Sequence, residues 1–462
     1  MSSGVIIRAF TCPNNRRSLR RHSGPRGPSP TGCAMSEPTR GQLVWLSCAA
    51  VLVGGSLAGI DHGAIDFRDF YESAAAWWRG DPLYTRENLN PPTFVLLSAP
   101  LGLLPYHAAH RIWLLVSASL VAVTVWRTVR ERALSTAQAI WLVGATGAIT
   151  PGWMPWQLGQ VTWLLFALVT AAWLAARQQR LRSAGVWLGL AIALKPPLAV
   201  AALLLPWSIL WVSAATAGAT TVGAILTTGW EPWWAWLTLG ARIDWLGQPL
   251  NASLWSVVGR MEAGDISGIR LADLGWPWWC GVGVAALALI GRTRQISGDT
   301  PSDATRWTLA ILVSILVSPL GWAYYVPLAY VPAIASWRQK GWWSVALYAI
   351  PMPILWRIVG GNLLLAHLIG AVYPGATLWA WIVWSTRAPG GVKDGDRLTC
   401  PAPRRAHARV GRVGHPTRSS ERSKRVHSRI FSSSRSIPGR ARRSSRSRNH
   451  ARASCRTLAP TR

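Results

Sequence analysis

The sequence predicts an all-α, polytopic transmembrane helical bundle of about 10–12 spans, with amphipathic helices in its first outer loop. Three observations predict it. Of the 462 residues, 50% are hydrophobic and only 14% are charged, a balance that suits helices facing hydrocarbon. Apolar stretches recur between residues 42 and 384 with short polar breaks. The chain also holds 31 tryptophans, and the pairs Trp77-Trp78, Trp233-Trp234 and Trp278-Trp279 lie at the ends of apolar runs, where an amphipathic ring favours the membrane interface.

Taken in order, helices are predicted at 42–60, 108–126, 136–150, 158–176, 184–195, 197–211, 212–229, 275–291, 307–321, 324–337, 342–357 and 362–384. Several fall short of the roughly 20 residues a straight crossing needs. Proline breaks helices, so the hairpin at Lys195-Pro196-Pro197 reads as a re-entrant element. The basic clusters Arg127, Arg130 and Arg132; Arg177, Arg180 and Arg182; Arg292, Arg294 and Arg306; and Arg338 with Lys340 fall on one side if the spans alternate. Positive charge marks that side as cytoplasmic. The stretches 66–105 and 230–275 then share the outer face. In the first of them, Phe67, Phe70, Tyr71, Ala74 and Trp78 recur at near-helical spacing while Arg68, Glu72 and Arg79 face elsewhere, as in a helix lying on the membrane. A second short apolar element, 94–104, follows Pro91-Pro92.

The net charge of +30 is concentrated in the termini, which argues against nucleic acid as the partner. Residues 1–34 carry six arginines and no acid, residues 388–462 carry 20 Lys or Arg against three acids, and 35–387 is left with a net of +7. Three regions follow: a disordered basic leader, 1–34; a transmembrane body, 35–387; and a disordered Arg/Ser-rich cytoplasmic tail, 388–462, whose composition offers no core to offset ordering entropy. Met35 heads a short polar leader that runs into the first span and is a second candidate start. The cysteines show no CxxC or metal-ligand spacing.

The chemistry is concentrated in the polar, acid-bearing stretch between the first two spans. Carboxylates are costly near hydrocarbon, so Asp66, Asp69 and Glu72 point to a water-facing site at the membrane surface. Asp66 is the candidate general base and Asp69 its competitor; the alternative for either is an ion pair with Arg68 or Arg79, or a helix cap. Lys195 reads either as a cation set against an anionic lipid phosphate or as a side chain snorkelling at the proline break. Arg260 reads as a two-point phosphate clamp or as a solvated loop arginine. Gln160 and Trp322 are candidates to line a substrate site, or to serve as helix-packing contacts and interface anchors. No Asp-x-Asp spacing occurs in the outer loop, so a reaction without metal or other cofactor is expected.

These residues form an ordered series. Asp66-Phe-x-x-Phe-Tyr71-x-x-Ala74, Gly80-x-x-Leu-Tyr84, Asn90-Pro-Pro and Pro100-Leu-x-x-Leu-Pro105 open it. Gly159-Gln160, then Ala184-Gly185 with Gly189-Leu-Ala-x-x-Leu-Lys195-x-Pro197, then Asn251-x-Ser253-Leu with Arg260, and Ser318-Pro319-x-x-Trp322 continue it. The series resembles the GT87 (DUF2029) family of GT-C membrane glycosyltransferases. That resemblance implies a polyprenyl-phosphate sugar donor, carrying mannose or arabinofuranose, and a cell-envelope glycolipid or lipoglycan acceptor at the outer face of the plasma membrane. It implies inversion at the sugar, with the base role falling on Asp66. It also suggests substrate contacts at Lys195, Arg260, Gln160, Asn251, Trp322 and Tyr324; the family often has histidines where this chain carries Tyr324 and Tyr325. The competing readings are a transporter or flippase for a lipid-linked sugar, which predicts acids within spans and repeated halves, and an inactive membrane scaffold.

Overall fold

The computed structural model describes residues 64–263, 269–296, 303–336, 348 and 363–386. The predicted span at 42–60, all of 342–357 but Tyr348, the leader 1–34 and the tail 388–462 lie outside the described residues. Among the described residues the protein is all-α, with no strand beyond two isolated bridges, Trp245 with Ile269 and Asn251 with Trp322. The helices are α1 (Ile65–Arg79), α2 (Pro92–Ser98), α3 (Tyr106–Arg130), α4 (Thr136–Ala148), α5 (Thr150–Leu158), α6 (Thr162–Arg177), α7 (Leu181–Leu194) and α8 (Ala199–Leu203). They continue as α9 (Trp207–Thr228), α10 (Glu231–Arg242), α11 (Leu254–Ala263), α12 (Trp276–Ile296), α13 (Ala304–Val317), α14 (Tyr330–Ala335), α15 (Leu363–Gly370) and α16 (Val372–Ser385).

Burial sorts these helices into a centre and a rim. Trp163, Phe166 and Trp173 of α6 and Trp307, Leu309, Val313 and Leu316 of α13 are fully enclosed, as befits helices that are apolar all round. By contrast, α9 exposes Trp207, Trp211, Val222 and Leu226, and α12 exposes Trp276, Val284 and Leu287. Trp207 and Trp211 flank one end of α9 and Trp230 and Trp234 the other. At 1.5 Å per residue the 22 residues of α9 extend about 33 Å, close to the ~30 Å hydrocarbon core, so the rings fall at the two interfaces. Three segments among the described residues, Tyr106–Arg130, Trp207–Thr228 and Leu368–Ser385, are long and apolar enough to cross a membrane.

The region after Lys195 departs from the predicted helices 197–211 and 212–229. A 3-10 turn at Pro196–Leu198 leads into the short α8, the chain breaks at Pro206, and α9 then runs unbroken to Thr228. Proline lacks the amide hydrogen a helix interior needs and biases the residue before it away from helix. The break therefore falls at Pro206 and not between residues 211 and 212. The glycines of α7 are explained by its neighbour α9. A Cβ on Gly185 would lie 2.5 Å from Cβ of Val212, and one on Gly189 would lie 2.6 Å from the Ser213 carbonyl oxygen. Small residues thus let two backbones approach within the membrane.

The two ends of the bundle differ in chemistry. At one end Arg127 pairs with Glu131 at 3.1 Å, Gln178 donates to Glu131 at 2.6 Å, and Arg130 and Arg177 lie over Trp126 and Trp173. There also Arg294 and Arg306 donate to the carbonyls of Leu203 and Leu204, acceptors left open where α8 ends. At the other end of α3, Tyr106, His110 and Trp113 meet α1. The apolar face of α1 turns inward here: Phe67 stacks on His110 at 4.8 Å and Phe70 meets Phe94 edge-on at 5.0 Å. Phe67, Phe70 and Ala74 are buried in the protein, so the amphipathic face that the sequence assigned to lipid is covered instead by α2 and α3.

Candidate active site

Helix α1 starts at Ile65 behind Ala64, whose side chain makes no cap. Asp66 sits in the first turn, where the helix dipole favours a negative charge, but its carboxylate turns to another segment: Oδ2 accepts a hydrogen bond from Nε2 of Gln160. Gly159 makes this meeting feasible. It adopts φ +69°, ends α5, and a Cβ there would lie 2.6 Å from Cβ of Phe67; glycine alone satisfies both the conformation and the contact. Trp113 fixes the turn by donating to the Gly159 carbonyl at 2.8 Å.

Gln160 joins Asp66 to a third segment. Its Nε2 also donates to the hydroxyl of Tyr324 at 3.2 Å, and its Oε1 accepts from the backbone amide of Val161 at 3.3 Å. Tyr324 is buried and stacks on Trp322 with ring centres 5.7 Å apart and an interplanar angle of 13°. Tyr325 packs edge-on against Tyr324 at 5.0 Å, and Nζ of Lys195 stands 5.1 Å from the Tyr325 ring centre. Lys195 is the residue after α7, drawn into extended conformation ahead of Pro196 (φ −145°, ψ 88°). It is therefore at a helix end and not in a helix centre, where the carboxy-terminal dipole favours a cation. A pocket opens at this point, lined by Lys195, Pro197, Ser314, Ser318, Gly321 and Tyr325. Thr93 ties the outer loop to the same place, its hydroxyl donating to the Ala193 carbonyl at 2.6 Å.

Burial dominates the electrostatics of Asp66. It pushes the carboxyl up to about 6, with the Gln160 hydrogen bond opposing, Asp69 raising it further and Lys195 lowering it. A carboxylate tuned in this way remains ionised at neutral pH yet binds a proton readily, as a general base must. Asp69 has different surroundings. Burial raises it as well, with Arg86 opposing, and Arg86 pairs with it at 3.7 Å. Among the described residues none of the ion pairs of Asp66 or Asp69 with Arg68 or Arg79 forms: Arg79 bonds Asp81 at 2.6 Å, Asp69 pairs with Arg86, and Asp66 meets Gln160.

Asn251 and Arg260 belong to a second polar region. Asn251 donates to the carbonyls of Leu246 at 3.1 Å and Pro319 at 2.8 Å, and accepts from the Ser253 amide at 3.3 Å. Backbone bonds from Ala252 to Gly321 and from Ala323 to Leu250, both 2.8 Å, complete the seam between the Asn251-x-Ser253 and Ser318-Pro319-x-x-Trp322 segments. Arg260, 2% exposed, donates to the Gly247 and Gln248 carbonyls and to the Ser256 hydroxyl. Its stem passes so close to α15 that a Cβ on Gly370 would lie 2.8 Å from its Cδ.

The structure thus brings together Asp66, Gln160, Trp322, Tyr324 and Lys195 from the sequence-derived set, and adds Tyr325, whose only sequence signal was its place after Ser318-Pro319-x-x-Trp322. The comparisons with known proteins converge on the same class. The family model for glycosyltransferase family 87 matches residues 88–319. A polyprenol-phosphate-mannose-dependent alpha-(1-2)-phosphatidylinositol mannoside mannosyltransferase of Mycolicibacterium smegmatis is 27% identical over 367 residues, which is 70% of this chain and 82% of that protein.

Proposed function

This chain belongs to glycosyltransferase family 87, and from that premise we propose that it transfers mannose from a polyprenyl-phosphate donor to a cell-envelope glycolipid or lipoglycan, with arabinofuranose the alternative sugar. The name of the mycobacterial relative supports the donor and the sugar. One observation carries the mechanism: a carboxylate raised by burial, held by Gln160, in the field of Lys195 beside a pocket.

In this reading Asp66 takes the proton of the acceptor hydroxyl as that oxygen attacks the anomeric carbon. The bond from that carbon to the phosphate oxygen breaks, its electron pair leaves with the phosphate, and the configuration inverts. Lys195 faces the negative charge of the donor phosphate and of the departing polyprenyl phosphate. The tyrosine pair and Trp322 provide rings and a hydroxyl against which a sugar can rest. Residues 35–387 form the catalytic body, and the site lies at the outer face of the plasma membrane, opposite the end where Arg127 and Arg177 gather.

The test is to incubate the purified full chain in lipid with labelled polyprenyl-phosphate mannose or arabinose and a glycolipid extract. Labelled glycolipid with inverted anomeric configuration is expected; label that crosses the bilayer without joining an acceptor would favour a flippase. The placement of the site has its own test in intact cells. An impermeant thiol reagent is expected to modify Gly80→Cys and to spare Gln178→Cys, and the reverse pattern would turn the site to the cytoplasm.

A further inference from the structure

We propose that Gln160 is a positioning residue for the transfer: its carboxamide is locked as a donor to Oδ2 of Asp66, so that the carboxylate is kept ionised and Oδ1 is left to receive the acceptor's proton. The inference rests on Asp66 being the base. It goes beyond sugar contact, the role the sequence suggested for Gln160.

The lock follows from counting donors and acceptors on one amide. A primary carboxamide has two hydrogens on nitrogen and one oxygen acceptor. The oxygen of Gln160 accepts from the Val161 amide, one of the open N–H groups where α6 begins. One hydrogen goes to Asp66 Oδ2 and the other to the Tyr324 hydroxyl. Turning the amide over would set its oxygen against a carboxylate and its hydrogens against the Val161 N–H. It would lose the bonds to Asp66 and to the Val161 amide at once, and only the Tyr324 hydroxyl, which can donate as well as accept, could adjust. The anchors cannot easily yield, because Val161 is buried at a helix start and Tyr324 is buried and stacked on Trp322. Among the described residues, no other hydrogen bond to the Asp66 carboxylate competes for Oδ1.

The charged and titratable groups facing Asp66 are Asp69 on its own helix, Lys195 at the end of α7, and Tyr324 and Tyr325 from the segment after Trp322. Asp69 disfavours the ionised form and Lys195 favours it. The fixed donor of Gln160 adds to Lys195, and unlike a lysine on a flexible stem it selects which carboxylate oxygen it binds.

The test measures the acid limb of kcat/KM, which reports the base in the free enzyme, for the full chain in lipid. Removing a donor that bonds the ionised form more strongly than the protonated one raises the proton affinity of Asp66, so activity disappears at a higher pH as the solution is acidified. Gln160→Leu is expected to move the limb up by about one to two pH units, the shift that loss of a hydrogen bond to a charged group produces. Gln160→Glu keeps the shape but sets two carboxylates to share a proton, so its limb moves higher still, and it serves should the leucine variant not fold. Tyr324→Phe removes a single anchor and is expected to shift the limb less than Gln160→Leu. If Asp66→Asn is inactive while both Gln160 variants keep the wild-type limb, the positioning role is overturned and the base assignment stands. If Asp66→Asn still transfers sugar, the base assignment falls and this proposal falls with it.

Discussion

Gln160 and Asn251 are both buried carboxamides, and each has its oxygen bound by a backbone amide one or two residues ahead. They differ in what their hydrogens reach. Asn251 donates to two backbone carbonyls, of Leu246 and Pro319, whereas Gln160 donates to a carboxylate and a phenol. Carbonyls of the main chain have no chemistry to perform, so the Asn251 amide fastens one loop to another. A carboxylate and a hydroxyl are groups that can take part in chemistry, and this amide holds one of each. Arg260 and Lys195 repeat the contrast among cations: the guanidinium points to carbonyls of residues 247 and 248, the ammonium to a tyrosine ring beside a pocket. A buried polar side chain therefore reveals its role by its partners more than by its burial.

The largest expected effect comes from the carboxylate that Gln160 holds. Asp66→Asn is expected to lower the transfer rate by about 10² to 10⁴, the usual contribution of a positioned general base, while Asp69→Asn, whose partner is Arg86, is expected to lower it far less. The change is nearly isosteric, so assembly in the membrane should survive. In the wild-type protein the rate should fall as pH drops through about 6, where Asp66 takes up a proton. Equal losses in the two variants, measured as initial rates with labelled donor, would move the base to Asp69 or to both.

How far this contrast can be read in a sequence depends on distance along the chain. The helices at 106–130, 162–177, 181–194 and 304–317 are legible because apolar runs bounded by polar breaks are local signals. Asp66 and Lys195 are legible for a related reason, since a charge beside long apolar runs stands out. The bond between Gln160 and Asp66 spans 94 positions and that between Gln160 and Tyr324 spans 164, and no local pattern carries either. Arg260 shows the opposite limit. Its place in a polar outer stretch suggests a phosphate clamp or a solvated arginine, but the Gly247 and Gln248 carbonyls and the close approach of α15 enclose it. Helices α10 and α11 fall outside the predicted spans because, at 12 and 10 residues, they are too short to read as crossings, and the prediction divides α9 in two because the apolar run hides the consequence of Pro206.

A smaller effect is expected at Lys195. Lys195→Met keeps the length and apolar stem but removes the charge, so it should raise KM for the polyprenyl-phosphate donor by about ten- to a hundredfold, the worth of a charged contact. The acceptor KM should move little. Loss of kcat with both KM values unchanged would instead place the ammonium near the reacting atoms, and an unchanged donor KM and kcat would reduce Lys195 to a helix-end cation over Tyr325.

The smallest effect on turnover is expected at Asn251, and it sharpens the contrast most. Asn251→Leu keeps the branched outline but leaves the Leu246 carbonyl without its amide donor and the Ser253 amide without its acceptor, while the Pro319 carbonyl keeps the Ser253 hydroxyl at 3.3 Å. A buried carbonyl stripped of its donor costs about 1–3 kcal/mol, so the variant should unfold at a lower denaturant concentration when titrated in detergent. Its turnover per folded molecule, and the pH at which its acid limb falls, should match the wild type, because none of the groups around Asp66 has changed partner. Gln160→Leu removes the same kind of side chain and is expected to do the reverse, shifting the limb with a modest change in stability. If Asn251→Leu shifts the limb as well, the seam and the site form one electrostatic unit, and the amide that fastens loops also tunes the base.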